Sequence, residues 1–306
     1  MEATAGSQSV ASTNKFYINL PPVFPNGKFT ELPVESSTIA FEDSNPSDSL
    51  SMPIAYCIPG IGDFRQSYRF LAPMLQTAGF RVIAQDMRGL GDSGTDFADY
   101  SIESVANDIG IVLDACNIKV PVILFTNSYS AACAVTFAAD NPARVAAIVT
   151  FGGFFRDMTK DTFFRPLSYL VYNRLWGQSA WVSAFKSFFV APPIDLFDYI
   201  AAIKTKISSN SAHVGVIGAM IRATKDQAWA KIGNVKIPVL LVMGSRDPDF
   251  KNPMEETKFV ASRIKSSRLV EIAMVDGVGH YPHVEAPEKV AQIVLAFLNT
   301  VSMVQK

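Results

Sequence analysis

Ser128 stands at the centre of Thr126-Asn127-Ser128-Tyr129-Ser130, directly after the apolar run Val122-Ile123-Leu124-Phe125 and directly before Ala131-Ala132-Cys133-Ala134. The pattern predicts a strand, a sharp turn and a helix, with the serine at the apex. Such a turn pushes a hydroxyl out above the sheet, and the positive end of the following helix points at the same place. Attack on an acyl carbon needs a nucleophile with a base, a group that orients the base, and donors for the oxyanion. Ser128 is the nucleophile candidate. Its plainer role would be to cap the following helix, a position that serine favours. Partners later in the chain favour the chemical role.

The base candidate is His280, in Asp276-Gly277-Val278-Gly279-His280-Tyr281-Pro282-His283. It follows the last strand pattern, and glycines 277 and 279 permit a loop that swings an imidazole over the strand ends. The chain has three histidines; His213 lies in a helical stretch. A His280/His283 metal pair lacks a third ligand cluster, and Pro282 disrupts a helical face, so no metal site is expected. The orienting acid is Asp247, just past the strand pattern Val239 to Met243, where a carboxylate can hold the histidine tautomer. Asp249 is its near rival and Asp157 the distant one.

The oxyanion donors should be backbone amides: that of Tyr129, after the nucleophile, and that of Ile61 in Pro59-Gly60-Ile61-Gly62-Asp63. The glycines of this loop let backbone approach a substrate closely. The loop fails as a dinucleotide fingerprint because Arg65 takes the third glycine's place, and no phosphate-cradling Gly-Lys-Ser/Thr loop exists. No cofactor is expected.

These residues need a scaffold, and the pattern supplies one. Two short strand-like runs, Lys15 to Leu20 and Ser37 to Glu42, suit antiparallel edge strands. From Pro53, apolar strand runs alternate with helical patterns. Ile54 to Ile58 is followed by Ser67 to Thr77, Arg81 to Asp86 by Ile102 to Cys116, and Val120 to Phe125 by Ser128 to Ala139. Val145 to Phe151 follows as another strand. This βα order implies a mostly parallel sheet with helices on both faces, an α/β class. From Gly152 to about Ile237 only helical patterns occur. Sheet order resumes with Pro238 to Gly244, a helix at Pro253 to Lys265, a strand at Leu269 to Val275 and a closing helix from Pro287. The expected organisation is a core of residues 1–151 and 238–306 carrying a helical cap, 152–237.

The insertion is rich in aromatic residues between 151 and 200. Most should pack it onto the core. A thin helical layer has little interior, however, so several rings should line an apolar substrate cavity. Phe154 and Trp176 are the candidates.

Composition narrows the partners. Apolar residues make up 49% of the chain, charged residues 18%, and the net charge is −1. A sizeable core is easy to build, and no basic stripe favours nucleic acid. Cys57, Cys116 and Cys133 each lie in or beside apolar runs and read as free thiols in a reducing compartment. The first residues show no signal-peptide core, and no apolar stretch is long enough to span a bilayer. A soluble cytoplasmic protein acting on a hydrophobic small molecule is the expectation; the sequence does not fix its oligomeric state.

With these residues in place, the chain from about Ser37 resembles the α/β-hydrolase superfamily. The likeness rests on Pro59-Gly60-Ile61-Gly62, Asp86-Met87-Arg88-Gly89-Leu90-Gly91-Asp92-Ser93, Asn127-Ser128-Tyr129-Ser130, and Gly279-His280 followed by Glu285-Ala286-Pro287-Glu288. It implies the α/β-hydrolase fold, an eight-stranded sheet flanked by helices, and the chain order serine, aspartate, histidine. The family usually has glycine where this chain has Thr126 and Ser130, and His-Gly where it has Pro59-Gly60. Ser130 should fit beside the strand, whereas the β-branched Thr126 is expected to narrow or shift the elbow. Epoxide hydrolases and haloalkane dehalogenases of the family place aspartate at the apex, so Ser128 argues against both. Serine members cleave esters, lactones, thioesters or activated carbon–carbon bonds; a few relatives are lyases, cyclases or hormone receptors. The reading is a serine hydrolase that cleaves an ester, lactone or thioester of a hydrophobic small molecule through an acyl-enzyme, a carboxylic ester first. The alternatives are a carbon–carbon hydrolase or lyase/cyclase with the same triad, and a small-molecule receptor on the same fold.

Overall fold

The structure is a computed structural model that describes residues 22–47 and 52–304. Among them, eight strands form one sheet: β1 (Lys28–Val34), β2 (Ser37–Asp43), β3 (Ile54–Ile58), β4 (Arg81–Gln85), β5 (Val122–Asn127), β6 (Val145–Phe151), β7 (Val239–Gly244) and β8 (Val270–Val275). The order across the sheet is β1-β2-β4-β3-β5-β6-β7-β8. β2 runs antiparallel to β1 and β4, and the other pairs are parallel. The helices in chain order are α1 (Leu71–Thr77), α2 (Ile102–Ala115), α3 (Ser130–Asp140), α4 (Thr159–Val171), α5 (Gly177–Ser187), α6 (Leu196–Ser209), α7 (Ala212–Arg222), α8 (Asp226–Lys231), α9 (Pro253–Arg263), α10 (Pro282–Glu285) and α11 (Pro287–Val304). The fold class is the one the sequence implies.

Side chains of a strand alternate between faces, so a strand covered on both sides must be apolar throughout. β5 does this: Val122 and Leu124 join one core, and Ile123 and Phe125 join the other. The first core receives Ile109 and Leu113 of α2 and Ala131 and Val135 of α3. The second receives Leu71 and Leu75 of α1 and Val294 and Phe297 of α11. The small residues Ser130 to Ala134 and Ala138 of α3 are buried, which lets that helix lie close over the sheet.

The strand order places the site. From β3 the chain moves outward to β4, then returns to β5 on the other side of β3. Loops leaving β3 and β5 at their carboxyl ends therefore diverge, and a crevice opens between them. Ser128 follows β5 directly, and the Pro59–Gly62 loop follows β3.

Between β6 and β7 the described chain is helical, α4 to α8. The expected strand at Lys15–Leu20 lies outside the described residues. The outer partner of β2 is instead β1, which falls between the two expected strand runs. Its pattern hid it: Lys28-Phe29-Thr30-Glu31-Leu32-Pro33-Val34 is a half-exposed edge strand with Pro33 inside it. The connection is only Glu35-Ser36, with Glu35 at φ 54°. No described helix is long and apolar enough to cross a membrane.

Candidate active site

Ser128 has φ 58°, the left-handed region that a non-glycine residue enters only when its surroundings hold it there. The hold is visible. The Ser128 amide donates to the Phe151 carbonyl at 3.0 Å, and the Phe154 amide donates to the Ser128 carbonyl at 3.0 Å. Asn127 ties the turn to two neighbours, its side-chain amide donating to the carbonyls of Phe151 (2.9 Å) and His280 (3.3 Å). The Ser130 hydroxyl accepts from the Asn127 amide at 3.0 Å and lies 3.0 Å from the Ile58 carbonyl. The hydroxyl at this position therefore binds the elbow together. Thr126 is fully buried, with its hydroxyl 3.5 Å from the Val149 carbonyl.

The loop after β3 presses against this turn. A Cβ on Gly60 would lie 2.9 Å from Asn127 Oδ1 and 3.1 Å from Ser128 Cβ, so only glycine lets the backbone come this near. Among the described residues, neither the Ile61 nor the Tyr129 amide has a hydrogen-bond partner within the chain. Both residues line the same cavity as Ser128 and His280.

His280 and Asp247 are both buried, with Nδ1 2.8 Å from Asp247 Oδ2. Asp249 Oδ2 lies 3.6 Å from the same nitrogen. Burial pushes the imidazole pKa down, but the Asp247 carboxylate, its hydrogen bond, and the charges of Asp249 and Glu285 outweigh that and hold it up at about 9. Gly152, at φ 54°, lets β6 pass the ring; a Cβ there would fall 2.9 Å from Nδ1. Glu285 shapes the loop. One carboxylate oxygen accepts from the amides of Gly279 (3.0 Å) and Tyr281 (3.2 Å), the other from Val190 (2.8 Å) and Ala191 (2.7 Å). The His280 amide donates to the Phe188 carbonyl at 2.9 Å. The histidine loop is thus fastened to the segment after α5.

The other candidates are placed as follows. Asp157 pairs with Arg165 and Lys225, away from the imidazole. His283 Nε2 lies 2.9 Å from the Ser67 hydroxyl and its ring stacks on Phe151, so the two histidines serve different contacts. Asp247, Asp249 and His280 bring ligand atoms within 4.8 Å of one another and are the described residues that could hold a cation. The nitrogen such an ion would need is the one against Asp247.

A cavity of about 560 Å³ opens above Ser128 and His280. Phe154 lines it, stacked on Phe250 at 4.8 Å and 5.8 Å from the imidazole. Trp176 does not: it is half-exposed, and its indole donates to the Leu170 carbonyl. The tryptophan on the wall is Trp181, whose indole lies against Gly62 and donates to its carbonyl at 3.1 Å. Phe188 stands beside it. Trp181, Phe185 and Phe188 recur at helical spacing, but so do Tyr169, Tyr172 and Trp176, so spacing alone does not single out Trp181. Glu285 and Lys225 carried no local signal, because their partners are distant in sequence.

The sequence profile of the alpha/beta hydrolase family matches residues 55–293, and the chain belongs to that family. It is 26% identical over 284 residues to a Bacillus subtilis (strain 168) protein provisionally named 2-succinyl-6-hydroxy-2,4-cyclohexadiene-1-carboxylate synthase, spanning 86% of this chain and 94% of that one. Among solved structures it is similar to a thermophilic esterase from Thermogutta terrifontis, with TM-score 0.72, 21% identity, and coverage of 90% of this chain and 98% of the other. It is also similar to the enol-lactonase from Burkholderia xenovorans LB400, with TM-score 0.73, 17% identity, and coverage of 88% and 100%.

Proposed function

We propose that this chain is a serine hydrolase that cleaves an ester, lactone or thioester of a hydrophobic small molecule. The observation that carries the reading is the buried His280–Asp247 pair facing the same cavity as a serine held at positive φ. In this mechanism Ser128 Oγ attacks the carbonyl carbon while Nε2 of His280, the nitrogen left free by Asp247, takes its proton. Asp247 stabilises the imidazolium, and the amides of Ile61 and Tyr129 receive the oxyanion. The imidazolium then protonates the leaving alcohol or thiol. Water, deprotonated by His280, attacks the acyl-enzyme and releases the acid. The helices between β6 and β7 act as a cap whose rings exclude water and hold the apolar part of the substrate.

A second reading, a lyase using the same residues, is supported by the likeness to the Bacillus subtilis relative, named a synthase. Turnover of a hydrophobic ester in ¹⁸O-water separates the two. A label in the product carboxylate supports hydrolysis; an unlabelled elimination product from the enzyme's own substrate would favour the lyase. Failure of Ser128→Ala to abolish turnover would remove both.

A further inference from the structure

Lys225 is a charged residue on an apolar wall. It sits in the turn between α7 and α8, is 7% exposed, and lines the cavity that holds Ser128 and His280. Its ammonium is 5.9 Å from the centre of the Phe154 ring, which in turn is 5.8 Å from the imidazole. One aromatic ring therefore spaces the cation from the reacting centre. A buried ammonium has three N–H donors to satisfy. Among the described residues its side chain makes one hydrogen bond, a long one of 3.4 Å to Asp157 Oδ1. That carboxylate is shared, since Arg165 also pairs with it. Two cations thus meet one anion, and Asp157 is held below the usual carboxylate range although burial opposes this.

The acids on the cavity wall are otherwise engaged. Asp161 Oδ2 accepts from the Met158 amide at 2.9 Å, and Asp249 stands beside the imidazole. Apart from the imidazole of His280 itself, Lys225 is the cation of the lining among the described residues.

We propose that Lys225 anchors a carboxylate carried by the substrate at the end remote from the scissile carbonyl. The substrate class is then a hydrophobic acyl compound with a free acid a few carbons from the ester, lactone or thioester group. This rests on the hydrolase reading for where the bond is cut, but not for where the acid binds. A charge-assisted bond inside an apolar cavity suits this task, because it is stronger than one in water and leaves a neutral analogue facing a cation whose N–H donors it cannot satisfy. Lys225 is a specificity residue here and takes no part in proton transfer.

Two substrates of equal length test it: the para-nitrophenyl ester of hexanoic acid and the para-nitrophenyl monoester of hexanedioic acid. The ratio of kcat/KM for the acidic over the neutral ester should fall by about ten- to a hundredfold in Lys225→Met. Lys225→Arg should recover part of it. Asp157→Asn removes the competing anion and should raise the ratio, so it decides the matter should Lys225→Met fail to fold. A ratio unchanged in Lys225→Met and Asp157→Asn would overturn the proposal. Calorimetric binding of hexanedioate and hexanoate to Ser128→Ala needs no turnover. Preference for the diacid, lost in Ser128→Ala/Lys225→Met, supports the anchor even if neither ester is cleaved. Equal binding overturns it, whatever the fate of the hydrolase reading.

Discussion

Nδ1 of His280 lies 2.8 Å from Oδ2 of Asp247, and both side chains are closed to solvent. A carboxylate so placed fixes which ring nitrogen carries the proton and stabilises the imidazolium formed during attack. Asp247→Asn should preserve the fold and lower kcat by about four orders of magnitude, the scale seen when a buried orienting acid becomes an amide. Steady-state kinetics with circular dichroism as a control checks this. A loss under tenfold would move the orienting role to another acid.

Asp249 gives the same imidazole a second negative neighbour, 3.6 Å away. With the His280 pKa held at about 9, the free protein at neutral pH carries mostly imidazolium, which cannot accept the serine proton. kcat/KM should therefore rise with pH up to about that value. Asp249→Asn removes one source of the upward shift, so the rise should move to lower pH while the plateau stays within about tenfold. The stability link has its own sign: a histidine pKa raised on folding contributes stability below the unfolded value, and this is lost as pH rises through about 9. A pH–rate profile unmoved by Asp249→Asn would contradict this account.

Glu285 accepts from four backbone amides, two on each oxygen. A glutamine cannot reproduce that, since its NH₂ would face two N–H donors. Glu285→Gln should cost about 1–3 kcal/mol of stability in urea unfolding, and kcat should fall because the His280 loop loosens. Equal stability and rate would show that the carboxylate does not set the loop.

Gly152 passes the imidazole at φ 54°, with no room for a Cβ. Gly152→Ala should displace His280 and lower kcat more than it raises KM, together with about 1–2 kcal/mol of backbone cost. Unchanged kcat in a folded Gly152→Ala protein would mean that the ring has more freedom than the packing allows.

What the sequence could reveal followed chain neighbourhood. The turn around Ser128 is encoded within a few residues, by an apolar strand before it and small residues after it. Asp247 and His280 each follow a readable strand, and parallel strands bring their carboxyl ends together. The aromatic wall was less legible. Trp176 and Trp181 lie in the same aromatic segment, and only the rotation of α5 against the core decides that Trp181 faces inward. Glu285 could not be assigned because its partners at 190 and 191 come from a distant segment. β1 was missed because an edge strand need not be apolar.

The central claim is that Ser128 is an activated nucleophile. Treating the protein with a fluorophosphonate and locating the adduct by mass spectrometry tests it most directly, with Ser128→Ala as control. The account predicts one adduct, on Ser128, that forms faster as pH rises toward 9 and is absent from Ser128→Ala. A folded protein that stays unlabelled, or that labels elsewhere, would contradict it.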